Sequence, residues 1–268
     1  MISFRSKRRI VQIFIFCMMF IIPVLNLLEI YFIKGTFVSL DIGSLGISDP
    51  VMILQAVIAS SASNGVLAVS ALIPILLAFF FGRVWCSWAC PYTLIAEWIE
   101  KIPAVGKVMR RNHTKLQRDG VIKRTMIARY FIFIMFLFIV GICGVPILHL
   151  FSPPAIISTQ ALLLVKNSVL TVEIVFLIAL LIIEVFFSYR FACRYLCPTG
   201  TCLSLFKSRA SLRVSYKGNC IECAKCIAAC PMGLNPKRDE GHSLCINCGE
   251  CIGNCSVKSA PLSWKIGR

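Results

Sequence analysis

Histidine is nearly missing from this chain: His113, His149 and His242 are the only three. A haem held between two imidazoles inside a bilayer needs histidines deep in apolar spans, and none of these is so placed. The C-x-x-C-H attachment signature of c-type haem does not occur either. Acidic residues are scarce as well, 12 against 28 Lys and Arg. The resulting charge of +16 would point to nucleic acid if the cations formed one patch. They come instead in blocks between long apolar runs, a distribution that follows membrane topology, so no nucleic-acid partner is expected. Only 15% of residues are charged and 58% are hydrophobic, where a soluble domain has about 45–50%. The mean hydropathy of +0.82 agrees. This is the composition of a membrane protein carrying a small soluble tail.

Cysteine is in excess, with fifteen residues. Eight of them form two runs near the end of the chain, Cys220, Cys223, Cys226, Cys230 and Cys245, Cys248, Cys251, Cys255. Each run reads C-x2-C-x2-C-x3-C, the spacing that wraps three thiolates around one face of a [4Fe–4S] cube and sends the fourth to a second cube. The expected ligand sets are therefore Cys220, Cys223, Cys226 and Cys255 for one cluster, and Cys245, Cys248, Cys251 and Cys230 for the other. A zinc ribbon needs four ligands in C-x2-C pairs, and a disulfide knot would not repeat this spacing. Thiols that hold clusters must stay reduced, which implies a reducing compartment. Pro231 follows the first run, whereas Ser256 follows the second, a departure that removes no ligand.

Along the chain, Arg5, Lys7, Arg8 and Arg9 precede an apolar run from Ile10 to about Ile33. It is too long for a signal peptide and lacks a small-residue cleavage site, so it reads as an uncleaved first span with Pro23 inside it. Residues 34–49 read as a short external loop, and 50–60 as a short interfacial helix. A second span covers about Leu67–Phe81. Residues 101–129, rich in Lys and Arg, read as a cytoplasmic loop. A third span covers Tyr130–Leu150. Pro146, Pro153 and Pro154 then open an external loop whose one cation is Lys166, and a fourth span runs over Leu170–Tyr189. Twelve more Lys and Arg follow from Arg190 onward. Four spans with cations on one side put both termini in the cytoplasm.

A repeat is visible inside this part. Arg83-x2-Cys86-x3-Cys90-Pro91 matches Arg190-x2-Cys193-x3-Cys197-Pro198, and each closes an outward-then-inward pair of helices. This suggests two parallel repeats about an axis along the membrane normal. At i and i+4 on a helix the two thiols of each pair share one face. The four together suit either a thiolate site for iron–sulfur or another soft metal, or two redox-active dithiols. Cys202 has no counterpart in the first half, and Cys17 and Cys143 read as packing. Glu184, inside the fourth span, is the best single candidate for accepting protons from a quinol. Glu29, Glu173 and His149 fall at the outer boundary.

The basic N-terminus, the four spans, the Cys-Ser-Trp-Ala-Cys-Pro and Cys-Arg-Tyr-Leu-Cys-Pro segments and the two-run tail together resemble the NapH family. The Asp49-Pro50…Leu54-Gln55 segment is similar to that family too. The resemblance implies a quinol dehydrogenase component of a periplasmic nitrate reductase system, in the bacterial cytoplasmic (inner) membrane. It would draw on the membrane quinol pool through two [4Fe–4S] clusters. A ferredoxin-like NapG-type partner and a reductase or multihaem cytochrome would receive the electrons. The wider C-x3-C-P group includes NosR-type regulators and CcoG-type assembly proteins, so a maturation or regulatory factor that supplies electrons or handles metal is the alternative. The expected fold is an α-helical integral membrane protein: a four-helix membrane domain at 1–205 and a ferredoxin-like α+β domain at 206–268.

Overall fold

Long stretches of Leu, Ile, Val and Phe with almost no acidic residue make the first two thirds of the chain helical. The computed structural model describes residues 4–29, 33–42, 45–60, 65–116, 121–167, 171–187, 190–208, 210–218, 220–257 and 261–267. Helix α1 covers Phe4–Leu27 and keeps Pro23 within it. An antiparallel sheet of β1 (Ile33–Thr36), β2 (Ser39–Ile42) and β3 (Leu45–Ser48) follows. Then come α2 (Pro50–Ser60), α3 (Gly65–Phe81), the short α4 (Val84–Trp88), α5 (Pro91–Glu100) and α6 (Pro103–Leu116). The second half holds α7 (Val121–Cys143), α8 (Pro153–Asn167), α9 (Glu173–Phe186), a wide turn at Ala192–Leu196 and α10 (Pro198–Leu205). The tail has β4 (Arg213–Tyr216), the single turns α11 (Lys225–Ala228) and α12 (Glu250–Gly253), and β5 (Leu262–Lys265), which pairs antiparallel with β4.

At about 1.5 Å per residue, α1 and α7 exceed the ~30 Å hydrocarbon core that a span must cross. Phe4–Leu27 and Ile122–Cys143 are the two helices among the described residues that are long and apolar enough for a crossing. Helix α3 has 17 residues and α9 has 14. Helices α1, α3, α7 and α9 fall on the four expected spans, but α3 and α9 fall short of the core's thickness as straight rods. Three further expectations are corrected. Residues 153–167 are not a loop: Pro153 and Pro154 fill the first turn of α8, where a missing N–H costs nothing, and Ala155, Ile156, Ile157 and Ala161 are buried. The basic stretch 101–129 is mainly helix, being α6 and the start of α7. Over residues 34–49, expected as loop, β1, β2 and β3 form the small sheet.

The two halves pack in the same way and exchange one element. Helix α1 lies against α4 and α5, and α7 against the 192–196 turn and α10. The short helix of each half crosses over: α2 packs on α7 and α10, whereas α8 packs on α1 and α5. Neither half can therefore bury its apolar faces without the other. Met19, Tyr92, Ile156, Ile157, Ala161 and Leu177 form one buried cluster, and Val51, Phe133, Phe136, Val140 and Leu148 form its counterpart. The N-terminus of α1 lies on the same face as the tail. Arg5 and Arg8 both bond Glu250, and the Phe4 ring packs against Trp264.

Candidate metal centre

In each motif the first cysteine sits in a wide turn and the second begins a new helix. The Cys90 amide donates to Trp85 O at 3.0 Å and the Cys197 amide to Ala192 O at 2.8 Å, both five residues back. Proline at the first position of α5 and α10 allows no continuation of the preceding turn, so Cys90 and Cys197 become the helix N-caps. The expectation of two thiols on one continuous helix face is corrected accordingly. The Gly200 amide donates to Cys197 Sγ at 3.4 Å, an orientation that favours a thiolate. Burial pushes the free Cys90 and Cys197 thiols up to about 12, and nearby thiols add to the effect.

The four motif cysteines converge. Cys86, Cys90, Cys193 and Cys197 line one small enclosed cavity with Arg83, Arg190, Met232 and Ile246. The arginines reach across the repeat. Arg190 Nη1 donates to Thr93 O at 3.3 Å. Arg83 passes Gly200, where a Cβ would stand only 2.7 Å from its Nη2, so a larger residue there would push the guanidinium aside. Arg129 donates to Thr201 Oγ1 at 2.8 Å and lies within electrostatic reach of Cys197 and Cys86. Arg83, Arg129, Arg190 and Arg194 are all almost fully buried. Arg190 pairs with Glu97 at 3.4 Å. Among the described residues, Arg83, Arg129 and Arg194 have no carboxylate at ion-pair distance, and both terminal nitrogens of Arg129 lack a hydrogen-bond partner. A buried cation without a counter-charge is costly, so the surroundings of these cysteines call for negative charge.

The tail folds around its own cysteines with local twofold regularity. Glu222 and Ala224 in the first run have φ of 54° and 56°, and Asn247 and Gly249 at the matching places in the second have 53° and 73°. Left-handed residues flanking the second cysteine of each run turn successive backbone amides toward one side, a nest for an anion. Cys220, Cys223 and Cys226 lie within mutual electrostatic reach. Cys230 lies within electrostatic reach of Cys245, Cys248 and Cys251, the first three cysteines of the other run. Amides of Glu222 and Leu234 donate to Cys220 Sγ and Cys230 Sγ at 3.4 Å each. The thiolate donors and the nests fit iron–sulfur clusters. All fifteen cysteines are free of disulfides. Among the described residues, no three His, Cys, Asp or Glu side chains gather at the bonding distance of a single metal ion. A cube holds its thiolates farther apart than a single ion does.

Tail and motifs share a wall. Ser87 Oγ donates to Ile246 O at 2.7 Å, and Arg194 Nη2 to Met232 O at 2.8 Å. Ser87 and Arg194 each directly follow the first cysteine of their motif. Cys86 and Cys193 pack against the same buried cluster of Met232, Leu244 and Ile246 that carries Cys230, Cys245 and Cys248. The His113 ring bonds Cys230 O at 2.7 Å. Arg83 holds Leu244 O at 3.2 Å, and Asn247 holds Phe81 O at 2.8 Å.

Glu184 is fully buried, and its carboxylate accepts from the Tyr92 hydroxyl and, at 3.2 Å, from the Arg190 amide. It lines neither the cysteine cavity nor the apolar cavity described below. Glu173 lies 3.8 Å from His149 in a boundary cluster. Cys17 and Cys143 are exposed, and Cys202 is buried in α10. Sequence reasoning missed the buried arginines beyond the two motif positions. Their signal was Arg129, a cation at the start of an apolar run.

A family described as a 4Fe-4S binding domain matches residues 63–112 and 169–213, the two segments that carry the C-x3-C-P motifs. The methylamine utilization ferredoxin-type protein MauN of Paracoccus denitrificans is 30% identical over 212 residues, covering 75% of this chain and 67% of that protein. The ferredoxin-type protein NapH of Escherichia coli is 24% identical over 231 residues, covering 84% and 73%. NapH of Haemophilus influenzae is 24% identical over 224 residues, covering 79% and 72%. No solved structure matches the chain.

Proposed function

Because the chain belongs to the family of ferredoxin-type proteins that includes MauN and NapH, we propose that it is a membrane electron-transfer subunit that oxidises quinol. Its electrons would pass through iron–sulfur clusters to a reductase system. An iron–sulfur electron-transfer role is common ground for the family. The quinol, the number of clusters and the ligand sets are our reading. Cys220, Cys223, Cys226 and Cys255 would hold one cube, and Cys245, Cys248, Cys251 and Cys230 the other. Cys86, Cys90, Cys193 and Cys197 would hold a third iron–sulfur group. When bound, such clusters supply one-electron steps at potentials set by ligation, hydrogen bonds and exposure. The family described as a 4Fe-4S binding domain falls on the motif segments, and the buried arginines around them supply the positive charge an anionic cluster requires.

One observation carries the reading: the four-cysteine cavity and the Cys230, Cys245 and Cys248 group share the wall made by Met232 and Ile246. With clusters bound as proposed, these residues would set redox groups side by side from the helical part into the tail. Ser87, Arg83 and Arg194 hold that wall in register through backbone carbonyls. The apolar outer faces of α1, α7 and α9, with Phe14, Phe131, Phe138 and Phe186 exposed, suit a multi-pass protein of the bacterial cytoplasmic (inner) membrane. The shared face of the N-terminus and the tail suits cytoplasmic termini. The electron acceptor is proposed by class, a ferredoxin-like NapG-type partner feeding a reductase or multihaem cytochrome. One relative's name refers to methylamine utilization, so the terminal reductase need not be the same throughout the family.

The test is anaerobic. Purified protein receives a menaquinol analogue while cluster absorbance and EPR are followed. Bleaching by quinol that a quinone-site inhibitor abolishes is the expected result. Clusters that dithionite reduces and quinol does not, even with a partner present, would refute the quinol reading.

A further inference from the structure

One departure from the repeat leaves a cavity. Thr199 follows Pro198 as Tyr92 follows Pro91, and Glu184 stands as far ahead of Arg190 as Leu77 does ahead of Arg83. In one half, Tyr92 is fully buried with its hydroxyl on Glu184, and together they fill the space beside α9. In the other half the matching residues are Thr199 and Leu77, too small and too apolar to form that plug. There the protein keeps a cavity of about 340 Å³, within the range of small-molecule sites.

The lining of this cavity is selective. Ile73, Pro74, Leu77 and Ala78 of α3 form one side, and Val38, Leu40 and Ile47 of the sheet form another. Phe37 and Trp85 stack at 5.2 Å with planes 19° apart, giving a flat aromatic edge. Within this apolar lining stands one carboxylate, Asp49. Its Oδ1 caps α2 by accepting from the Val51 amide at 2.9 Å, and its Oδ2 accepts from Thr199 Oγ1 at 2.6 Å. Thr199 in turn shares a 3.0 Å hydrogen bond with Ser152. Capping alone would explain Asp49 at a helix start, but not its place in the wall of an apolar cavity. A carboxylate has about four acceptor sites, and two are in use. Among the cavity's lining residues, Leu77, Phe81 and Trp85 are 45%, 44% and 39% exposed. Trp85, Pro154 and Thr199 also line the four-cysteine cavity, so the two spaces share a wall.

We propose that this cavity is the quinol site, that the ring arrives laterally from the lipid past Leu77, Phe81 and Trp85, and that Asp49 accepts its hydroxyl protons. The site rests on the quinol reading above and gives it a location. Oxidation to the quinone breaks two O–H bonds and releases two electrons and two protons. The electrons go to the iron–sulfur groups of that reading, one each to two of them. Asp49 takes the first proton, and the second leaves to water as the quinone forms. The role expected of Glu184 passes to Asp49, and Glu184 with Tyr92 becomes the filled twin of the site.

Two readouts test this. Binding is read from quenching of tryptophan fluorescence by menadione, since Trp85 and Trp88 line the cavity. Turnover is read from reduction of the clusters by menadiol. Thr199→Tyr, which copies the chain's own plug, should weaken quenching at least tenfold while dithionite still reduces the clusters. Asp49→Asn should bind menadione within a few-fold of wild type yet slow menadiol reduction by about a hundredfold, the lower end of what a positioned proton acceptor contributes. If both variants bind and react like wild type, or if Glu184→Gln alone slows the reaction, the site is elsewhere while the quinol reading stands. If menadiol fails to reduce wild-type clusters that dithionite reduces, the quinol reading fails and this site with it.

Discussion

Arg129 is buried in α7 with two terminal nitrogens unpartnered among the described residues and Cys197 and Cys86 close by. If those thiolates hold an anionic cluster, Arg129→Met removes the cation that favours its reduced form. The midpoint potential of the motif group should fall by at least about 59 mV, a tenfold change for one electron, as read by EPR-monitored titration. An unchanged potential would mean that the four cysteines carry no redox charge. Asp49 stands at the start of α2 with its carboxylate in the wall of the apolar cavity. Burial raises its carboxyl above the ordinary carboxylate range, while bonds from Thr199 and Val51 pull it partly back. A proton acceptor works only when ionised, so the quinol-dependent rate should fall as pH drops through this raised value. Asp49→Asn should remove that dependence, and a stopped-flow pH series reads both curves.

At the scale of elements, the docking of the tail depends on a few side-chain-to-carbonyl bonds. Ser87 and Arg194 hold Ile246 O and Met232 O. Leaving a buried carbonyl unpaired costs about 1–3 kcal/mol. The double variant Ser87→Ala, Arg194→Ala should therefore raise amide exchange around 230–248 and slow reduction of the tail clusters by quinol, with their dithionite spectra retained. Unaltered exchange would mean that the wall is held by apolar packing alone. The elements also explain what could be read from sequence. The cysteine runs were legible because spacing alone fixes which thiols a short turn can present. Helices α1, α3 and α7 were legible as long apolar runs. Helix α8 was not, because Pro153 and Pro154 read as breakers when they are in fact a first turn. The β1–β3 sheet was missed because Gly35, Gly43 and Gly46 read as loop residues, and pairing is a tertiary matter.

At the scale of the molecule, the sequence carried the repeat but not what the repeat does. Matching motifs announced two halves. The exchange of α2 and α8 between halves, and the gathering of four cysteines under a cage of arginines, arise only when both halves pack together. Asp49 was noticed as part of a family-like segment, yet its place opposite Thr199 depends on contact across the halves. Glu184 attracted the proton-accepting role because a buried carboxylate in an apolar run is the stronger one-dimensional signal. On the proposed route, electrons from quinol reach the tail by way of the four motif cysteines. The measurement that tests it most directly compares wild type with Cys193→Ser under anaerobic quinol, following the EPR signals of the tail clusters. The account predicts that quinol reduces the tail clusters of wild type, and that those of Cys193→Ser remain reducible by dithionite but no longer by quinol. Equal reduction of both proteins by quinol would contradict it.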